Sequence, residues 1–144
     1  MTRFIDPSTI RKESIVKDNL TTIEGFPLFS IIEFNIAGNC NRTCSFCPVS
    51  NPKVYKGTKE LMDVGLYSKI MDDLVDIHYE GKILYSAFSE PLLHKKIEEL
   101  IQITKEKLPK SRVEIVSNGD LVNEKKLQKL FRSGLDTISI SMYD

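Results

Sequence analysis

The sequence predicts an α/β fold built on a parallel sheet. Stretches with strand character alternate with stretches at helical spacing, and the connections between them are short. Every chemically unusual segment falls directly after a strand. Short alternating connections imply right-handed crossovers between parallel strands, and such sheets hold their ligands at the strands' carboxyl ends.

The first strand is read over Phe29–Ala37, where apolar Ile32, Phe34 and Ile36 alternate with Glu33 and Asn35. A cysteine-bearing loop follows, then a second loop stretch, "VSNPKVYKGTKE". Asp63 is a good N-cap for the first helix, whose apolar face is read as Leu66, Ile70, Leu74 and Ile77. "KILYSAF" (Lys82–Phe88) is the second strand. After Pro91 a second helix carries Ile97, Leu100, Ile101 and Thr104 on one side and stops at Pro109. "RVEIVS" (Arg112–Ser117) is the third strand, broken by the turn pair Asn118-Gly119. Asn123 caps a third helix with Leu127, Leu130 and Phe131 inward and Gly134 at its end. "TISISMY" (Thr137–Tyr143) is the fourth strand.

A parallel strand buried on both faces reads as a continuous apolar run. The first and fourth strands do not. Glu33 and Asn35 in one, and Thr137, Ser139 and Ser141 in the other, make a polar lane opposite the apolar one. Such a lane fits a sheet curved around a wet, ligand-holding interior, or strands with one solvent face.

Of the 144 residues, 41% are hydrophobic and 28% charged, ordinary values for a soluble globular domain. Lys plus Arg balances Asp plus Glu at 20 each. The densest basic stretch, "KEKLPKSR", contains a Glu and a Pro and reads as a solvated helix end rather than a nucleic-acid stripe. No apolar run is long enough to span a bilayer, and the first twenty residues are too charged for a secretion signal. Residues 1–28 read as an N-terminal extension and 29–144 as the core. The expected location is the cytoplasm.

All the cysteines, Cys40, Cys44 and Cys47, lie in "CNRTCSFCP". A reducing compartment disfavours disulfides, and an odd number leaves a thiol over, so a metal centre is expected. Three thiolates on one tight loop leave the fourth iron of an iron–sulfur cube without a protein ligand, which is what a reactive centre needs. The alternative is a zinc site with His78 or His94 as fourth ligand. Structural zinc favours paired C-x2-C units, and the sequence has one. His94, just after a helix-opening proline, reads as a surface or capping residue. His78 lies near a helix end, where a cationic side chain is favourable.

The loop resembles that of the radical S-adenosylmethionine (radical SAM) superfamily, with its C-x3-C-x-aromatic-C pattern after the first strand of a (βα) barrel. "YSAFSEPLLH" resembles the family's second-strand segment, "VEIVSNGDLV" its "TNG" segment, and "LFRSGLDTISISMYD" the run into its fourth strand. The resemblance implies a partial TIM-like barrel, truncated after about the fourth strand. It implies that Cys40, Cys44 and Cys47 hold a [4Fe–4S] cluster. SAM would chelate the open iron and be cleaved reductively to a 5′-deoxyadenosyl radical that abstracts hydrogen from a substrate. Phe46 would lie near the cluster and adenine. Ser89 and Glu90 match the segment that receives the methionine ammonium. Ser139 and Ser141 lie where the family binds the ribose and carboxylate, and Asn118 belongs to the "TNG"-like turn. An external electron donor such as flavodoxin or ferredoxin and a peptide or small-molecule substrate are implied, with no nucleic acid or membrane. The family's glycine before the glutamate is here Phe88-Ser89. The family's later strands, which complete the adenine and substrate sites, are absent. The expectation is therefore the N-terminal part of an enzyme, inactive as an isolated chain. The alternative is a non-catalytic iron–sulfur or SAM-binding module.

Overall fold

The computed structural model describes residues 22–142. The chain divides into two compact units, Met1–Ser30 and Ile31–Asp144. Most of the expected N-terminal extension, and the end of the expected fourth strand at Tyr143, lie outside the described residues.

In the first unit, β1 (Thr22–Ile23) and β2 (Phe26–Pro27) form a short antiparallel hairpin. Its turn residues Glu24 and Gly25 both have positive φ, 50° and 84°. That is the requirement of a type I′ turn, whose twist matches the flanking strands.

The second unit is a four-stranded parallel sheet of β3 (Ile31–Phe34), β4 (Lys82–Tyr85), β5 (Val113–Ser117) and β6 (Thr137–Ile140). The strands lie side by side in chain order. A sheet wound in one direction, without reversal, is the arrangement of a (βα) barrel rather than of a doubly wound sheet. The connections carry α1 (Val64–Asp76), α2 (Ile97–Lys107) and α3 (Glu124–Arg132). The α/β reading holds, with each strand shorter than expected at one or both ends.

The sheet has two unlike faces. One presents Phe34, Ile83, Tyr85, Val113 and Ile115, all buried. Against it lie Tyr67, Met71, Ile97, Leu100 and Leu130, none more than 0% exposed. On the other face the register aligns Glu33 with Leu84, Leu84 with Glu114, and Glu114 with Thr137. Lys82 Nζ donates to Glu114 Oε2 at 2.7 Å, and Ser139 Oγ to Glu114 Oε1 at 3.1 Å. The polar lane therefore runs through Lys82, Glu114 and Ser139 across three strands, sharing its face with Leu84 and Val116.

The helix ends follow local chemistry. Asp63 Oδ1 accepts from Leu66 N at 2.9 Å and Asn123 Oδ1 from Lys126 N at 2.9 Å. Gly134, at φ 103°, closes α3 in a Schellman motif: Leu135 N donates to Leu130 O and Gly134 N to Phe131 O. The inner face of α2 is Ile97, Leu100, Ile101 and Thr104, as expected. Two faces differ. In α1 the buried stripe is Tyr67, Met71 and Leu74, while Leu66 is 53% exposed. The helix is turned so that the Tyr67 ring meets Phe34 edge-on, centroids 5.3 Å apart. In α3 Leu130 is buried but Phe131 is exposed.

Candidate functional site

The site is assembled where β3, β4 and β5 end. Beyond β3 the chain turns back on itself. Gly38 N donates to Glu60 O, Thr58 N to Gly38 O and Met62 N to Ile36 O, and Ala37 bridges Leu61 antiparallel. Tyr55 Oη adds a bond to Gly38 O at 2.9 Å. The segment read as loose loop thus pinches residues 39–57 into a closed loop. Glycine is needed at the pinch, because a Cβ on Gly38 would stand 2.0 Å from Thr58 Oγ1 and 2.9 Å from its carbonyl oxygen.

The three cysteines sit on this loop, partly exposed and with free thiols. A turn closed by Cys47 N to Cys44 O, 3.0 Å, draws the last two together, and Pro48 opens a 3-10 turn over Pro48–Ser50. The Cys40 sulfur accepts from Arg42 N at 3.4 Å and Asn118 Nδ2 at 3.6 Å. Hydrogen bonds to sulfur are among the means by which proteins stabilise and tune iron–sulfur centres.

The loop after β4 begins at Ala87, a non-glycine residue at φ 76°. Ser89 Oγ donates to Asn35 Oδ1 at 2.7 Å, and Glu90 N to Asn39 O at 3.1 Å. Glu90 is 1% exposed. Its Oε1 accepts from Leu92 N (3.1 Å) and Ser117 Oγ (2.8 Å), and its Oε2 from Asn118 N (2.8 Å). The carboxylate therefore ties the end of β4 to the end of β5. Asn118 passes the connection on, since Nδ2 donates to Asn41 Oδ1 at 2.8 Å as well as to Cys40.

Cys40, Glu90 and Asn118 are thus joined in one hydrogen-bonded chain, with Ser89 beside it through Asn35 and Asn39. Ser141 N donates to Ser117 O at 2.8 Å, which places it at the same edge. Ser139 lies lower on the polar face, bonded to Glu114. Phe46 is 61% exposed on the cysteine loop. Sequence reasoning missed Asn41, Arg42 and Asp120. The Asp120 carboxylate receives Asn41 Nδ2 at 3.1 Å, Arg42 Nε at 2.8 Å and an Arg42 terminal N–H. A separation of 78 residues hid this pairing. The one local signal was an arginine between two cysteines.

The expectation for His94 needs correction. It is buried, not at the surface, because its Nε2 lies 2.9 Å from Met62 O while Nδ1 accepts from Lys96 N at 3.2 Å. The capping half of that expectation holds. With both ring nitrogens occupied, it has none for a metal. His78 follows the end of α1, which runs opposite to the strands, so it lies at the far edge of the sheet from the cysteines. Among the described residues no three His, Cys, Asp or Glu side chains converge as one bound ion requires. Three soft thiolates on one loop, with neither histidine beside them as a fourth ligand, suit an iron–sulfur cube. The donor set fits the cluster.

The family model of the Radical SAM superfamily matches residues 34–143. The chain belongs to that superfamily. Its cofactors are accordingly a [4Fe–4S] cluster and SAM. Over 116 residues, 81% of this chain and 46% of the relative, it is 38% identical to the S-adenosyl-L-methionine-dependent 2-deoxy-scyllo-inosamine dehydrogenase of Niallia circulans. It is 26% identical over 107 residues to the tungsten-containing aldehyde ferredoxin oxidoreductase cofactor-modifying protein of Pyrococcus furiosus, covering 74% of this chain and 29% of that one. Its fold is similar to two crystal structures of BtrN, each 36% identical and covering 78% of this chain. One is an open conformation (TM-score 0.70, 50% of that chain), the other a complex with AdoMet and 2-DOIA (TM-score 0.69, 45%). The chain thus spans about half the length of these dehydrogenase and BtrN relatives. No helix among the described residues is long and apolar enough to cross a membrane.

Proposed function

We propose that the chain supplies the cluster-holding βα units, residues 29–144, of a radical SAM enzyme that dehydrogenates a small hydroxylated amine. The observation that carries this reading is the free cysteine loop at the carboxyl end of β3, hydrogen-bonded to the ends of β4 and β5. The likeness to a SAM-dependent inosamine dehydrogenase favours a small polar substrate over a peptide.

When bound, the cluster would supply one electron for reductive cleavage of SAM to methionine and a 5′-deoxyadenosyl radical able to take one hydrogen atom from the substrate; the second electron of the dehydrogenation would pass to a separate one-electron acceptor such as an oxidised iron–sulfur centre, and the proton to solvent. The chain's own residues bind and orient. Cys40, Cys44 and Cys47 would hold the cluster. Ser89 and Glu90 receive the methionine ammonium. Glu90 contributes its charge from beneath while it fixes Asn118 and Ser117, as suits a buried carboxylate with three donors of its own. Asn118 orients Cys40. Ser139 and Ser141 take the ribose and carboxylate from the polar face, and Phe46 covers the adenine side. The electron comes from an external donor such as flavodoxin or ferredoxin in the cytoplasm. The 144-residue chain alone holds cluster and SAM without turning over the substrate.

Iron analysis after anaerobic reconstitution tests the ligand set. Wild-type chain retains about four irons, and Cys40→Ala, Cys44→Ala and Cys47→Ala each lose most of them. Undiminished iron in any one of these variants contradicts the assignment.

A further inference from the structure

We infer that Arg42 and Asp120 are a positioning pair that latches the cysteine loop onto the turn after β5 and sets the fixed charge beside the metal centre. The inference rests on the cluster reading for its second half only.

The geometry is that of a fork. Arg42 presents Nε and a terminal nitrogen to the two oxygens of one carboxylate, a two-point arrangement that lysine cannot make. Asn41 adds a third donor to Asp120, and Asn118 closes the ring by donating to Asn41 Oδ1 and accepting from Asp120 N at 3.0 Å. The turn that delivers Asp120 depends on Gly119, at φ 85°. Both side chains are about one-third exposed, 34% and 38%, so solvent screens the pair. Its importance is direction rather than strength. Arg42 lies two residues from Cys40 and two from Cys44, and its backbone N–H already bonds the Cys40 sulfur.

A cation at that place lowers the cost of adding an electron to a cluster, and a carboxylate raises it. Opening the latch from either side frees the same loop, but removes charges of opposite sign. That contrast separates a positioning and charge-setting pair from a merely structural one.

Two measurements on Arg42→Gln, Asp120→Asn and the exchanged pair R42D/D120R decide it. In the metal-free protein, both single variants should be alkylated at Cys40 and Cys44 by iodoacetamide several-fold faster than wild type, and the exchanged pair should recover the slow rate. In the reconstituted protein, the reduction potential should fall for Arg42→Gln and rise for Asp120→Asn. Wild-type alkylation rates in both single variants, or potentials moving the same way, would overturn the inference. If wild type retains no iron, the cluster reading fails, and the alkylation rates still decide whether the latch exists.

Discussion

Ala87 stands in the left-handed region at φ 76°, where a Cβ crowds the neighbouring carbonyl. It begins the turn that carries Ser89 and Glu90, and this chain has no glycine between β4 and Glu90 to relieve that geometry. Strain of this kind persists where surroundings over-determine the backbone. Here the bonds of Ser89 to Asn35 and of Glu90 to Asn39 do so. Ala87→Gly should therefore raise stability by ~1 kcal/mol, read as a higher urea midpoint. A lower midpoint would show that the surroundings favour the alanine. At this scale the gathering of the three cysteines on one loop after the first strand was legible, because it is written in their spacing. Glu90 was legible by position and not by partners. Its bonds to Ser117 and Asn118 reach across 27 and 28 residues, and no local pattern encodes such a reach.

Between the elements, α1, α2 and β4 are joined by three buried hydroxyls. Tyr67 shares hydrogen bonds with Tyr85 at 2.5 Å and with Thr104 at 2.6 Å, and Thr104 donates to Leu100 O at 2.9 Å. Burial pushes the Tyr67 hydroxyl up to about 12. Thr104→Val keeps the shape but removes the group both tyrosines use, and should cost ~1–3 kcal/mol in chemical denaturation. An unchanged midpoint would mean the tyrosines satisfy each other. A second tie is Asp136, which follows α3 and accepts from Lys105 Nζ of α2 at 2.8 Å and Val113 N of β5 at 2.7 Å. Burial alone would raise its carboxyl, but these bonds outweigh it and hold the group below the ordinary 3.8. The unfolded chain therefore takes up this proton first. The contribution to stability is complete above the ordinary value and is lost as pH falls through it toward the folded one. Urea midpoints between about pH 6 and pH 3 should fall less steeply for Asp136→Asn than for wild type; equal slopes would contradict the tie. Caps at Asp63, Asn123 and Gly134 were legible because a cap is local. The inner stripe of α1 was not. Leu66, Ile70 and Leu74 fit helical spacing as well as Tyr67, Met71 and Leu74 do, and only the ring contact with Phe34 chooses between them.

Across the molecule, the parallel sheet was legible from alternating strands and helices, and its two faces from the alternation within β3 and β6. What the alternation could not give is how far the polar face extends. Lys82, Glu114 and Ser139 join it across three strands, and that depends on register. The pinched base of the cysteine loop was likewise invisible, since "VSNPKVYKGTKE" lacks strand alternation and pairs by backbone groups alone. The loop stands at the carboxyl edge of the sheet, with the polar face below it. The proposed function requires the cluster and SAM to share this edge. Electron paramagnetic resonance of the anaerobically reconstituted, reduced chain, with and without SAM, tests this most directly. A cubane signal that shifts on adding SAM is the expected result. A signal indifferent to SAM, or stoichiometric zinc with no retained iron, would contradict it.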